Sequence, residues 1–271
     1  MFLADYHMHS THSDDARDSM RDMALSAASK GIKELCFTDH ADECCIEKYL
    51  TIKPNMFFSQ QGMFEEFESL RDELKDRITL RFGAELAAIN HTPQKAGEFD
   101  SDSRFDFIIG SVHNVRCRDD FFYLKYESEE QCREIISEYL AEYIEIAGIG
   151  CCDVLGHLGY PQKYMVRQGF KSDIFDNFQG LCELIRLTVQ AGIGLEVNTS
   201  GLRSPLNRTI PDERVLRLYR EYGGEIVTVG SDSHRVSDAG SGIREAYDLL
   251  RRCGFKYVAT FEKRRPKFIA I

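Results

Sequence analysis

Short apolar runs alternate with amphipathic stretches along the chain. The runs include Phe2-Leu3-Ala4, Glu34-Leu35-Cys36-Phe37, Ile78 to Phe82, Phe107-Ile108-Ile109, Asp153-Val154-Leu155 and Ile226 to Val229. They are β-branched or aromatic and mostly lack polar–apolar alternation, the pattern of parallel strands buried on both faces. Between them, apolar residues recur at helical spacing. Asp18 to Lys30 carries Met20, Met23, Ala24, Ala27 and Ala28 and is stopped by Gly31. Further helices are predicted over Gln60 to Arg77, Glu129 to Ala147, Ser172 to Ala191, Pro211 to Tyr222 and Asp238 to Cys253. Gly192 and Gly254 occupy C-terminal cap positions, and Pro211 suits a first helical turn.

Repeated strand–helix units with parallel strands leave two folds, the open doubly wound sheet and the closed barrel. The residues at the end of each run decide between them. His7 and His9 come after the first, Asp39-His40 after the second and Glu85 after the third; His113, His157 and Asp232-Ser233-His234 come after the others. An open sheet concentrates its site at a switch point, whereas a barrel draws chemistry from many strand ends at one rim. Six strand ends with metal-capable groups favour the α/β barrel, with its site at the C-terminal ends of the strands. Alone, each group has a bland reading: a satisfied core histidine, a turn, a helix cap. Six together are difficult to assign to chance.

Histidines one residue apart at a strand end, as His7 and His9 are, point the same way and can share a cation. A carboxylate next to a histidine, as in Asp39-His40 and Asp232-x-His234, ligates or orients it. Neutral imidazoles mixed with carboxylates, without an ordered thiolate pattern, suit Zn, Fe or Mn.

Composition narrows the partners. The chain has 271 residues, no linker-like tract and no repeat, and is expected to form one domain over residues 1–271. A net charge of −10 argues against nucleic-acid binding, which requires a basic face. No apolar stretch approaches a membrane span. The nine cysteines include the adjacent pairs Cys44-Cys45 and Cys151-Cys152 and no C-x-x-C. With no basic-then-apolar leader at the N-terminus, reduced thiols in the cytoplasm are expected.

The series D-x-H-x-H at Asp5 to His9, T-D-H at Thr38 to His40, G-x-E at Gly83 to Glu85, G-S-x-H at Gly110 to His113, G-H at Gly156-His157 and G-S-D-x-H at Gly230 to His234 resembles the PHP (polymerase and histidinol phosphatase) superfamily. Within it, the stretch Leu195 to Arg203 (L-E-V-N-T-S-G-L-R) is similar to the histidinol-phosphate phosphatase group. The match runs from His7 to about Gly240. It implies a distorted (β/α)7 barrel holding three divalent metal ions (Zn, Fe or Mn). By family pattern His7, His9, Glu85 and Asp232 hold the first. Glu85 bridges to a second completed by His113 and His157, and Asp15, His40 and His234 hold the third. Asp14 is the alternative loop acid. The chain departs from the pattern after His157, where it carries Gly159-Tyr160-Pro161-Gln162-Lys163-Tyr164 and relatives more often carry an acid and then basic residues.

The implied activity is hydrolysis of L-histidinol phosphate to L-histidinol and phosphate, with two metals lowering the pKa of a shared water. Arg203, and after it Arg116, is expected to clamp the phosphoryl group. Asp232 or His234 serves as the acid. Alternatives are another small phosphate ester (nucleotide, bisphosphate or sugar phosphate), a metal-dependent amidohydrolase, and a metal-stabilised interaction domain without turnover. The separate T-D-H and S-D-x-H motifs disfavour the amidohydrolase. The sequence leaves the oligomeric state open.

Overall fold

The computed structural model describes residues 1–46, 51–54 and 60–271; the side chains of Cys44 and Cys45 lie outside that description. In chain order the elements are β1 (Ala4–Met8), α1 (Met20–Ser29), β2 (Glu34–Phe37), the hairpin β3 (Glu43–Ile46) and β4 (Thr51–Pro54), α2 (Gln60–Leu74), β5 (Thr79–Ala87), α3 (Ala96–Ser101) and β6 (Phe107–Ser111). Then come α4 (Glu129–Ile149), β7 (Val154–Leu155), α5 (Pro161–Arg167), α6 (Phe178–Gln190), β8 (Gly194–Asn198), α7 (Glu213–Glu221), β9 (Val227–Gly230), α8 (Ile243–Arg252) and the hairpin β10 (Tyr257–Glu262) and β11 (Arg265–Ala270).

Seven strands form one parallel sheet in the order β1-β2-β5-β6-β7-β8-β9. Its two edges meet just beyond the last strand. Asp232 N–H donates to His7 O at 2.8 Å, and His9 N–H to Ser233 O at 3.0 Å. These bonds bring the sheet nearly to a closed barrel at the end where the histidines lie.

The alternation of strand side chains divides the apolar residues into two sets. Leu35, Phe37, Leu80, Phe82, Ile108, Leu155, Leu195 and Val197 belong to the larger core shared with the surrounding helices. Tyr6, Cys36, Phe107, Ile109 and Val154 form a separate cluster with Ala259 and Phe261 of β10. The Tyr6 hydroxyl donates to Glu34 Oε1 at 2.5 Å and accepts from Phe261 N–H at 2.7 Å. The C-terminal hairpin is thereby fastened to the apolar end of the barrel, leaving the other end to polar groups.

Several boundaries shift for local reasons. Pro211 lies before α7 rather than in its first turn: Asp212 is the cap, its carboxylate accepting from the N–H groups of Arg214 and Val215, and the Ile210–Pro211 peptide is cis. The predicted helix from Ser172 begins as a 3₁₀ turn, Ile174–Asn177, under an Asp173 capping box, and α6 starts only at Phe178. The seven cysteines with described side chains form no disulfide. No helix among the described residues is long and apolar enough to cross a membrane.

Gly83 shows how tightly β5 is packed. A Cβ there would lie 2.7 Å from Cys36 Sγ and 2.8 Å from Phe107 O, the latter immovable backbone. Gly83→Ala is therefore expected to cost about 1–3 kcal/mol through overpacking. Urea unfolding checks this, and an unchanged midpoint would refute it.

Candidate metal centre

The strand ends and the loop after β1 bring six imidazoles together with the carboxylates of Glu85, Asp232 and Asp15, and Glu85 is 1% exposed. His7 and His9 leave β1 with their Nε2 atoms 3.0 Å apart, beside an irregularity in the β1–β2 register between Asp5 and Met8. Glu85 Oε2 lies 3.3 Å from His7 Nε2 and 3.6 Å from His9 Nε2, while Asp232 Oδ1 lies 3.8 and 3.6 Å from the same two nitrogens. The other Glu85 oxygen, Oε1, lies 2.7 Å from His157 Nε2 and 3.1 Å from His113 Nε2. Those two nitrogens are 3.3 Å apart. A third group lies toward solvent. His234 Nε2 is 3.2 Å from Asp15 Oδ2, and His40 Nε2 is 3.6 Å from Asp15 Oδ1 and 3.5 Å from His234 Nε2. Asp15, rather than its neighbour Asp14, makes these contacts.

His40 joins the groups, because its Nδ1 lies 2.9 Å from Glu85 Oε2. His7–His9–Glu85, Glu85–His113–His157 and His9–His40–His234 each present ligand atoms within the span of one ion, as does His40–Asp42–His113. Asp42 lies outside every motif of the sequence, so no local signal marks it.

The electrostatics follow from crowding. Burial opposes charge on Glu85, yet His7, His113 and His40 outweigh it and hold the carboxyl well below its usual range. Asp232 is lowered likewise against burial, by His7, His9 and His234 with Lys163. Burial also opposes protonation of His7, His40 and His113, but the surrounding acids raise all three. His9 goes the other way: burial and the His234, His40 and His7 rings hold it neutral.

A divalent cation fits this arrangement. Glu85 Oε2 is buried and accepts no hydrogen bond, although three imidazole nitrogens surround it. Buried polar atoms are rarely left so. Acceptor-rich nitrogens and carboxylate oxygens facing one another are completed by a cation of borderline hardness.

Outer contacts hold the rings. His7 Nδ1 lies 2.7 Å from Glu196 Oε1, and His113 Nδ1 lies 3.0 Å from Asp42 Oδ2. His9 Nδ1 lies 3.1 Å from Ser13 Oγ, which donates to Asp39 Oδ1 at 2.6 Å. Asp39 thus anchors the loop after β1. Tyr143 and Tyr139 of α4 donate to Gly156 O and His157 O at 2.8 and 3.1 Å, fixing the end of the two-residue strand β7.

Cationic groups differ in placement. Arg203 donates to Ser231 O at 2.7 Å and Asp232 O at 3.2 Å, in the loop that carries Asp232. Arg116 turns toward α4, donating to Asn90 O at 2.9 Å with Glu145 at 3.4 Å, and does not join the cluster. Lys163, which no sequence pattern marks as a functional cation, lies over the Tyr160 ring and donates to Ser200 Oγ at 3.1 Å. Burial lowers its pKa, with Asp232 opposing. Asp120 lies within electrostatic range of His113 and Tyr160, its pKa raised chiefly by burial. Of the remaining histidines, His12 pairs with Glu66 of α2 at 2.8 Å, and His91 is buried against Glu142 at 3.0 Å.

Residues 5–200 match the PHP domain. The chain is 28% identical to the histidinol-phosphatase of Lactococcus lactis over 95% of its own length and 93% of that protein's. It is 26% identical to a probable histidinol-phosphatase of Thermotoga maritima, covering 97% of each. The crystal structure of the Lactococcus lactis histidinol phosphate phosphatase, complexed with zinc, L-histidinol and phosphate, superposes with a TM-score of 0.79 at 27% identity, covering 98% of both chains.

Proposed function

The chain belongs to the PHP domain family, and on that premise we propose that it is a metal-dependent phosphatase converting L-histidinol phosphate to L-histidinol and phosphate. The observation that carries this reading is the buried Glu85 carboxylate, whose oxygens face five imidazole nitrogens at 2.7–3.6 Å. Full-length similarity to histidinol-phosphatases supports the substrate.

The residues would hold three divalent ions, of Zn, Fe or Mn. His7, His9, Glu85 and Asp232 would take the first, Glu85, His113 and His157 the second, and Asp15, His40 and His234 the third. When bound, such ions supply Lewis acidity that lowers the pKa of water and neutralises phosphoryl charge. The protein's own groups do the rest. Lys163 and Arg203 flank Asp232 and offer donors for phosphoryl oxygens. Asp232 or His234, with His234 Nδ1 3.6 Å from Asp232 Oδ1, would pass the proton taken from the attacking water to the leaving alkoxide. Asp120 is the acid offered to the substrate ammonium. Residues 1–271 would act as one barrel domain in the cytoplasm.

Phosphate release from L-histidinol phosphate, with Mn²⁺ or Zn²⁺ supplied, tests the assignment against p-nitrophenyl phosphate and nucleotide phosphates. A kcat/KM far higher for histidinol phosphate is expected. Low, indiscriminate rates would leave a phosphoesterase of another small ester. No turnover with full metal occupancy would point to the non-catalytic interaction domain. Asp120→Asn should raise KM for histidinol phosphate roughly ten-fold, equivalent to about 1.4 kcal/mol, and leave p-nitrophenyl phosphate unaffected. Equal changes for both esters would remove Asp120 from substrate recognition.

A further inference from the structure

Below the ligand-facing nitrogens, on β8, lies Glu196, 1% exposed. Its Oε1 is 2.7 Å from His7 Nδ1, and its Oε2 accepts from the His157 backbone N–H at 2.7 Å. Asn198 Nδ2 donates to both oxygens at 3.3 and 3.2 Å, and reaches Asp232 Oδ2 at 3.2 Å. These contacts fall on the sides of His7 and His157 turned away from Glu85. The packing is built around the pair: a Cβ on Gly230 would lie 2.2 Å from Glu196 Oε1 and 2.4 Å from the His7 Cβ.

We propose that Glu196 is a positioning residue for the metal centre, one carboxylate that sets ligands of two adjacent sites together. Its Oε1 holds the His7 proton on Nδ1, which leaves the Nε2 lone pair for the ion. Its Oε2 fixes the backbone of His157, and with it the height of that ring opposite Glu85 Oε1. Through Asn198 the same carboxylate reaches Asp232. A buried carboxylate is costly unless hydrogen-bonded, and here the donors that satisfy it belong to ligand-bearing residues or to their neighbour. The inference rests on the metal-centre reading above.

Glu196→Gln keeps the shape but offers one acceptor oxygen instead of two, so its NH₂ must confront either the His7 Nδ1–H or the His157 N–H. The experiment compares wild type, Glu196→Gln and Glu196→Asp, the last keeping the charge on a shorter arm. Zn²⁺ retention is measured by equilibrium competition with a colorimetric chelator, folding by circular dichroism and melting temperature. The variants should surrender zinc at 10–100-fold lower chelator concentration. They should need correspondingly more free metal for half-maximal activity, with kcat largely regained at saturation. Wild-type zinc retention in either folded variant would overturn the proposal. So would a lower melting temperature with an unshifted metal requirement, the mark of a packing role. A wild-type chain that binds no divalent metal would overturn the metal-centre reading itself, a result distinct from both.

Discussion

Glu85→Gln is expected to lower kcat/KM for phosphate-ester hydrolysis by roughly 10³-fold or more, the scale on which removing a member of a concerted catalytic unit acts. Among the described residues, Glu85 alone falls in both the His7–His9 and the His113–His157 groups. The amide keeps its volume but replaces one anionic oxygen with a donor that faces imidazole nitrogens at 2.7–3.3 Å. Metal content should fall together with activity, because two ligand sets lose a charge at once. The secondary structure should persist, since neither core cluster includes this side chain. Steady-state kinetics with metal analysis on the same preparation check the prediction. Wild-type turnover in metal-replete Glu85→Gln would remove the cluster as the reacting site. Asp232→Asn should follow the same course, because Asp232 Oδ1 lies within 3.8 Å of three imidazole nitrogens, those of His7, His9 and His234.

Removing metal should abolish turnover and reverse the pH dependence of stability. In the metal-free chain, acids raise His7, His40 and His113 against the opposing effect of burial. A base with a raised folded pKa contributes stability that is complete below its unfolded value, about 6.5, and is lost as pH rises through the folded one. Glu85 and Asp232 are lowered against burial by the same rings. Their contribution is complete above about pH 4.5 and lost as pH falls through their folded values. His9, held neutral by burial and neighbouring rings, costs stability on the acid side. The metal-free chain should therefore melt at falling temperature from about pH 6.5 upward. Metal binding requires neutral imidazoles and strengthens over the same range. A site held at about 1,000-fold over its Kd adds about 4 kcal/mol, on the order of 10 °C for a chain of this size. The gap between metal-loaded and metal-free melting temperatures should widen from about pH 6 to about pH 8. A gap that narrows or stays constant would contradict the electrostatic account of the cluster.

Much of the scaffold is legible because it depends on local periodicity. Buried parallel strands need apolar runs, and the helices between them need a 3.6-residue stripe, so both leave patterns in the sequence. Boundaries blur where side chains compete for the backbone. Asp173 and Asp212 cap turns that propensity alone extends through Ser172 and Pro211. The hairpin of β10 and β11 has no analogue in the strand–helix rhythm. Its role depends on Phe261 meeting Tyr6 and Phe107, residues far away in the sequence.

The candidate ligands were legible for a different reason. His7, His9, His40, Glu85, His113, His157, Asp232 and His234 each stand just beyond an apolar run, and in a parallel barrel all such ends share one rim. The sequence by itself thus determined the strand–helix alternation, the side of the barrel that carries chemistry and the residues that converge there. Only the tertiary structure decided which atoms face one another: that Asp15 rather than Asp14 reaches His40 and His234, that Arg116 turns away to α4, and that Lys163 lies near the cluster. It alone brought Asp42 to His113 and Glu196 to His7 and the His157 backbone. Periodicity encodes which face of an element is buried, whereas contacts across the barrel depend on register and side-chain direction between distant strands, which leave no local pattern in the chain.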